Sequence, residues 1–152
     1  MNGELVPAGD RALLPLRESD GSPIVAPRVL KRLAVIAEAI FATEAGPPPA
    51  ERIAWVVTEA EDFLARSGSR TRIVVGFAVL GVSVFAPLLA RRFTSLAGMT
   101  LAERIYALRQ LESSKLAGPL FAVKALLSLF YYEHPDAARE VGFDGACLGI
   151  RP

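Results

Sequence analysis

Chemically reactive side chains are scarce in this sequence, which has one cysteine and one histidine among 152 residues. Cys147 alone cannot form an intramolecular disulfide. Together with His134 it could complete a zinc or haem site only if several carboxylates joined them, and none cluster with either residue along the sequence. The glycines never follow a strand pattern as G-x-G-x-x-G, which argues against a phosphate-binding loop. We therefore predict no catalytic, cofactor-binding or metal-binding residue in this chain.

A strong net charge and a secretion signal are also missing. The formal net charge is +1, which gives no electrostatic reason to expect binding to nucleic acid. The first 30 residues lack the basic, apolar and cleavage-site pattern of a signal peptide, so we expect a cytoplasmic protein. Apolar residues, in contrast, are in excess, at 52% against the usual ~45–50%. This excess indicates that the chain buries surface against something besides itself.

The longest uncharged run extends from Ile73 to Ala90. As a helix it would be about 27 Å long, close to the roughly 30 Å of a bilayer's hydrocarbon core. It could be a buried core helix, a membrane span or, in its Val-rich half, a β-hairpin. Arginines balanced at its two ends and the absence of Trp or Tyr at its boundaries favour the core helix. A span remains the alternative, and the hairpin is disfavoured because no other segment has a strand pattern.

Helical periodicity is present on both sides of this run. The Gly46-Pro47-Pro48-Pro49 cluster separates the first two predicted helices, and Thr100 with Glu103 matches a capping box that opens a later one. Asp62 and Arg66 have the spacing of an exposed i,i+4 ion pair. Three apolar faces are predicted. They comprise Leu30, Leu33, Ile36 or Ala37, Ile40 and Phe41, then Ile53, Val56, Val57, Ala60, Phe63 and Leu64, then Leu101, Ile105, Leu108 and Leu111.

The second strongly apolar helix is predicted from Leu116 to Tyr132, with Lys124 as its one charge. A short helix should follow from Pro135 to Val141, with Gly142 as its terminator. The sequence thus predicts a single all-α domain of about five main helices plus one short helix. We assign residues 1–27 to an extended Pro/Gly-rich arm, 28–145 to the helical domain and 146–152 to a C-terminal tail. The two most apolar helices should form the interior.

Two features near the end of the last long helix are candidates for function. Tyr131 and Tyr132 could point one into the core and one outward, as interface tyrosines do, or both could complete the core. His134 is predicted to cap a helix C-terminus. A helical enzyme acting through His134 is the competing interpretation.

The segment Tyr131-Tyr132-Glu133-His134-Pro135, followed after six residues by Gly142-Phe143-Asp144-Gly145, resembles a family signature, Y-Y-x-x-P…G-Y-D-G. This signature belongs to a helical module associated with FAD-dependent oxidoreductases of the glucose–methanol–choline (GMC) type. The module occurs as the small subunit of gluconate 2-dehydrogenase-like complexes and as an N-terminal domain of long-chain alcohol oxidase-like and sterol oxidase-like enzymes. The resemblance covers residues 28–145, with Phe143 in place of the usual Tyr and Leu111 where Trp is common.

The resemblance implies a non-catalytic accessory subunit that binds and stabilises a separate FAD-dependent catalytic subunit. The flavin would then belong to the partner. By the same resemblance, we expect the partner interface to include Tyr131, Tyr132, Pro135, Gly142, Phe143, Asp144 and Gly145. The alternative is a small membrane-anchored protein with residues 73–90 as a single span.

Overall fold

The computed structural model describes residues 23–143. These residues contain six α-helices and no β-strand, so the predicted all-α fold is confirmed, including its five long helices and one short one. A 3₁₀ helix (Leu96–Gly98) lies between the third and fourth of them. The helices are α1 (Pro27–Ile40), α2 (Ala50–Arg66), α3 (Ser69–Leu89), α4 (Leu101–Glu112), α5 (Gly118–Glu133) and α6 (Pro135–Glu140).

Proline and glycine set the first helix boundaries. Pro27 occupies the start of α1, where its missing amide hydrogen has no intrahelical partner to lose. After α1, Thr43 and Gly46 exchange two backbone hydrogen bonds of 2.9 and 3.0 Å in a tight turn, and Gly46 takes a φ of +119°. On α2 the predicted ion pair is present, because Arg66 Nη2 lies 2.9 Å from Asp62 Oδ1.

The long apolar helix α3 begins four residues earlier than the run that predicted it. Pro87 lies inside this helix without breaking it. Its missing amide hydrogen removes only the bond to the Ser83 carbonyl, within the last turn and a half of the helix, where little of the helix remains to be disrupted.

The chain leaves α3 through a Schellman motif. The Arg91 amide donates to the Leu88 carbonyl at 3.0 Å, and the Arg92 amide donates to the Pro87 carbonyl at 2.9 Å. This geometry places Arg91 in the left-handed region, with a φ of 54°. Glycine usually occupies that position, because an L side chain is strained there.

Local signals also set the ends of α4 and α6. The predicted capping box is present, with the Glu103 carboxylate accepting from the Thr100 amide at 3.0 Å and the Thr100 hydroxyl accepting from the Glu103 amide at 3.4 Å. Gly142 terminates α6 as predicted, with a φ of 81°. The Gly142 amide donates to the Arg139 carbonyl, and the Phe143 amide donates to the Ala138 carbonyl. These two bonds form a second Schellman motif.

One hydrophobic core joins all six helices. α3 packs against α5, α4 and α1, while α2 packs against α1 and α5. Val25 is only 5% exposed and belongs to this core, so the packed domain includes residues that we had assigned to the N-terminal arm. The largest fully buried side chains are Leu33, Ile36, Val56, Leu64, Val79, Val82, Leu111, Leu120, Val123 and Leu127.

The interior position predicted for α3 is only half correct. Its buried residues are Val79, Val82, Ala86 and Pro87, which share one side of the helix. The other side faces outward. The reason is that α1, α4 and α5 all pack on one side of α3, and no described element covers the opposite side.

Candidate functional site

Tyr131 and Tyr132 diverge at the end of α5. Tyr131 is 6% exposed, whereas Tyr132 is about half exposed, so one phenol enters the core and the other points outward. Phe41 stacks on the Tyr131 ring with centroids 3.8 Å apart and planes 9° from parallel. Tyr132 meets both rings edge-on, at 6.3 Å from Phe41 and 5.3 Å from Tyr131. The three rings form a fixed aromatic cluster whose outer member is Tyr132.

A buried arginine holds this cluster to two other helices. Arg52 of α2 is 7% exposed, and its Nη1 donates to the Tyr131 hydroxyl at 3.0 Å. The same guanidinium donates to both carboxylate oxygens of Glu140 on α6, at 2.8 and 2.9 Å. Its Nε is buried without a hydrogen-bond acceptor among the described residues. Arg52 therefore ties α2, α5 and α6 together in one polar link.

The charges of this link are fixed near neutral pH. The two hydrogen bonds from Arg52 hold the pKa of the Glu140 carboxyl below its usual value, and the bonds to Glu140 and Tyr131 raise the pKa of Arg52. Neither group can readily exchange a proton near pH 7, because both shifts favour the charged form. The arrangement suits structural cross-linking better than acid–base catalysis.

His134 lies beside the cluster and caps two helices. It is the C-cap residue of α5, as predicted, and its backbone amide donates to the Tyr131 carbonyl at 3.3 Å. Its side chain has a further role that was not predicted, because Nδ1 accepts from the Asp136 amide at 3.3 Å and so caps the N-terminus of α6. Its ring also meets Trp55 edge-on at 5.4 Å between centroids. The cap and this aromatic contact give His134 a structural role.

The remaining residues of the predicted interface lie at and after α6. Pro135, Gly142 and Phe143 are all exposed, as is Tyr132. The second Schellman motif fixes the direction in which Phe143 leaves the helix. Asp144 and Gly145 lie outside the described residues, as do Cys147 and the predicted C-terminal tail.

The exposed side of α3 carries an apolar stripe without a charge. Its members repeat at intervals of three or four residues, which places them on one face, opposite the buried Val79, Val82 and Ala86. Phe77 is 70% exposed. We call this set the α3 stripe, and it consists of Ile73, Phe77, Leu80, Val84 and Leu88.

α5 has a similar outward face. Between Gly118 and Glu133, the exposed residues repeat at helical spacing and carry no charge; we call them the α5 stripe, and they are Phe121, Ala122, Ala125, Leu129 and Tyr132. Two charged residues belong to α5: Lys124 pairs with Glu112 of α4 at 2.7 Å, and Glu133 is the exposed last residue of the helix. Two adjacent helices therefore each present an uncharged apolar face away from the core.

The sequence did not lead us to predict a role for Arg52 or Glu140. One signal was available: Arg52 stands one helical turn before Val56 and two before Ala60, on the buried face of α2. A charge on such a face requires a partner. Its partner could not be inferred, because Glu140 lies 88 residues away and on a short helix with several exposed charges.

Within residues 23–143, no group of three or more His, Cys, Asp or Glu side chains could hold a metal ion. α3 is long and apolar enough to cross a membrane, with a mean hydropathy of 2.1 over its best window, of which 28% is buried. Comparison of the chain with protein-family models, with curated proteins and with solved structures finds no match.

Proposed function

We propose that this chain is a non-catalytic accessory subunit that binds and stabilises a separate FAD-dependent oxidoreductase of the GMC type. The observation that carries the binding role is the pair of uncharged apolar stripes on α3 and α5. The resemblance of the segment from Tyr131 to Gly145 to the small-subunit signature supports the identity of the partner.

The stripes support a stable partner because of their composition. Soluble monomers rarely expose large contiguous apolar surfaces, and such surfaces mark interaction sites. Obligate interfaces are larger and more hydrophobic than transient ones. The α3 stripe has no Asp, Glu, Lys or Arg over four turns. A charged partner surface would therefore find no complement along it, whereas an apolar one would bury it without unpaired charges.

The aromatic cluster supports the same role at the end of α5. Tyr132 is held edge-on by Phe41 and Tyr131, so little side-chain entropy remains to be lost when a partner covers it. Large aromatic residues with a polar atom are frequent interface hot spots. Behind them, the link from Arg52 to Glu140 fixes α6 and hence Phe143. The exposed members of the predicted interface thus stand on a rigid support.

The experiment is purification of the tagged full-length chain from its native host under mild conditions. We expect a flavoprotein of the GMC type to co-elute in a fixed ratio, with a flavin absorbance spectrum. A Phe77→Asp variant, which places a charge in the middle of the α3 stripe, should lose the flavoprotein. Tyr106→Asp is the matched control, because Tyr106 is an exposed aromatic on α4, outside both stripes.

Two results would contradict the proposal. One is a well-folded, colourless monomer that never co-elutes with a flavoprotein. The other is a flavoprotein that is retained equally by wild type, Phe77→Asp and Tyr106→Asp, since that association would not involve the α3 stripe.

The second candidate is a membrane-anchored protein in which residues 73–90 form a single span, and the low burial of α3 favours it. Against it, a span would have to withdraw Val79, Val82 and Ala86 from the core. Flotation of the purified chain with protein-free lipid vesicles separates the two candidates. Flotation that resists a high-salt wash supports the membrane anchor, and the absence of flotation removes it.

A further inference from the structure

A groove of about 550 Å³ lies between α1, the last turns of α3 and the connector that follows α3. Its volume is within the ~300–1,000 Å³ of small-molecule sites. Much of the wall is apolar, with Val35 from α1, Val84 and Leu88 from α3, and Leu96 from the 3₁₀ helix. Val84 and Leu88 also belong to the α3 stripe, so the groove opens beside it. The walls suit a hydrocarbon chain.

The charged residues that line this groove are all cations. Lys31 and Arg32 come from α1, one turn before Val35 and on the same side of that helix, and Arg92 comes from the connector. None of the described residues that line the groove is Asp or Glu. Among the described ion pairs, neither Lys31 nor Arg32 takes part, whereas Arg92 pairs with Glu103 at 2.8 Å.

This combination defines the chemistry of the ligand. The apolar wall requires a hydrophobic body, and the cations require a negative head group beside it. Arg92 is already partly neutralised by Glu103, and Lys31 and Arg32 have no ion-pair partner among the described residues. One carboxylate can engage both, because each of its two oxygens can accept a hydrogen bond.

We propose that the groove binds a single-chain amphipathic carboxylate, that is, a fatty acid. All of the lining residues belong to this chain, so binding can be measured without the flavoprotein, although Val84 and Leu88 also belong to the stripe that the proposed partner covers.

The test is isothermal titration calorimetry of the full-length chain with dodecanoate below the concentration at which it forms micelles. We expect saturable one-to-one binding. Dodecyltrimethylammonium has the same hydrocarbon chain with a positive head group. It should bind at least about tenfold more weakly, because Lys31 and Arg32 attract a carboxylate and repel an ammonium group. Lys31→Gln and Arg32→Gln should each weaken dodecanoate binding roughly two- to fivefold, the range for exposed charge pairs. Arg66→Gln, which changes an arginine on α2 far from the groove lining, is the charge control.

A second pair of variants tests whether the hydrocarbon chain of the ligand lies against the α3 wall of the groove. Val84→Trp should fill the groove and abolish dodecanoate binding. Val74→Trp should leave it unchanged, because Val74 is also exposed on α3 but does not line the groove. Circular dichroism of each variant confirms that it is folded.

Four outcomes would overturn the proposal: no saturable binding of dodecanoate, equal affinity for dodecyltrimethylammonium, retained binding in Val84→Trp, or binding to lipid vesicles with none to monomeric dodecanoate. Tighter binding of dodecyl phosphate than of dodecanoate would overturn the assignment to a carboxylate.

Discussion

Arg91→Gly should stabilise this protein, although it removes a charged side chain and adds a glycine. Arg91 is the left-handed residue of the Schellman motif that ends α3, with a φ of 54°. Its side chain is exposed and forms no ion pair with a described carboxylate. The substitution therefore changes mainly the backbone energy.

The magnitude follows from two opposing terms. An L residue in the left-handed region costs about 1–2 kcal/mol, which glycine does not incur. Glycine has greater freedom in the unfolded chain, which offsets about 0.5–1 kcal/mol of that gain. The free energy of unfolding should rise by about 0–1.5 kcal/mol, with a central value of about 0.75 kcal/mol. At Arg109, an exposed position inside α4, the same substitution should instead lower it by about 1 kcal/mol, because glycine is a poor helix former.

Urea unfolding followed by circular dichroism measures both variants. The two midpoints should move in opposite directions from that of wild type, with little change in the denaturant dependence. If Arg91→Gly proves less stable than wild type, the reasoning is refuted, because the Arg91 side chain must then make a stabilising interaction larger than the backbone strain. Equal shifts in Arg91→Gly and Arg109→Gly would refute it too, since the sign should depend on the backbone conformation.

Three further predictions concern the Arg52–Glu140 link and the core. Glu140→Gln should lower the free energy of unfolding more than Arg52→Met does. The first substitution leaves the buried Arg52 guanidinium without its counter-charge, whereas the second leaves the exposed Glu140 carboxylate, which water can solvate. Because Arg52 lowers the pKa of Glu140, the contribution of this pair is present above about pH 4.5 and is lost as the pH falls through the lowered pKa. The difference in melting temperature between wild type and Glu140→Gln should therefore shrink in acid; a constant difference from pH 7 to acid would contradict this. Leu127→Ala should lower the free energy of unfolding by about 2–5 kcal/mol, since Leu127 is fully buried on α5, and a chemical denaturation curve checks it.

The sequence was most informative where a structural feature is local. The capping box of Thr100 and Glu103, the pair of Asp62 and Arg66, and the glycine that ends α6 each depend on residues within four positions of one another. Propensity and hydrogen-bonding rules act over that distance. These three features could therefore be predicted without knowledge of the fold.

The sequence was least informative about α3. A helix that is apolar on every side gives no pattern from which its buried face can be inferred. Only the packing of α1, α4 and α5 selects Val79, Val82 and Ala86 for burial and leaves Phe77 outside. The groove that we propose as a ligand site has the same origin. It combines residues from α1 and from the end of α3 that are about 50 positions apart in the chain, and no local rule brings them together.

The pairing of Lys124 with Glu112 has a consequence for the orientation of the whole molecule. Because Lys124 pairs with α4, the two stripes carry no charge between their ends, which are flanked by Arg70 on α3 and Glu133 on α5, while α1 and α2 keep exposed arginine, lysine and glutamate side chains. The protein is thus two-sided in the way that a single amphipathic helix is. If the proposed partner covers the stripes of α3 and α5, the charged side chains of α1 and α2 are left facing water.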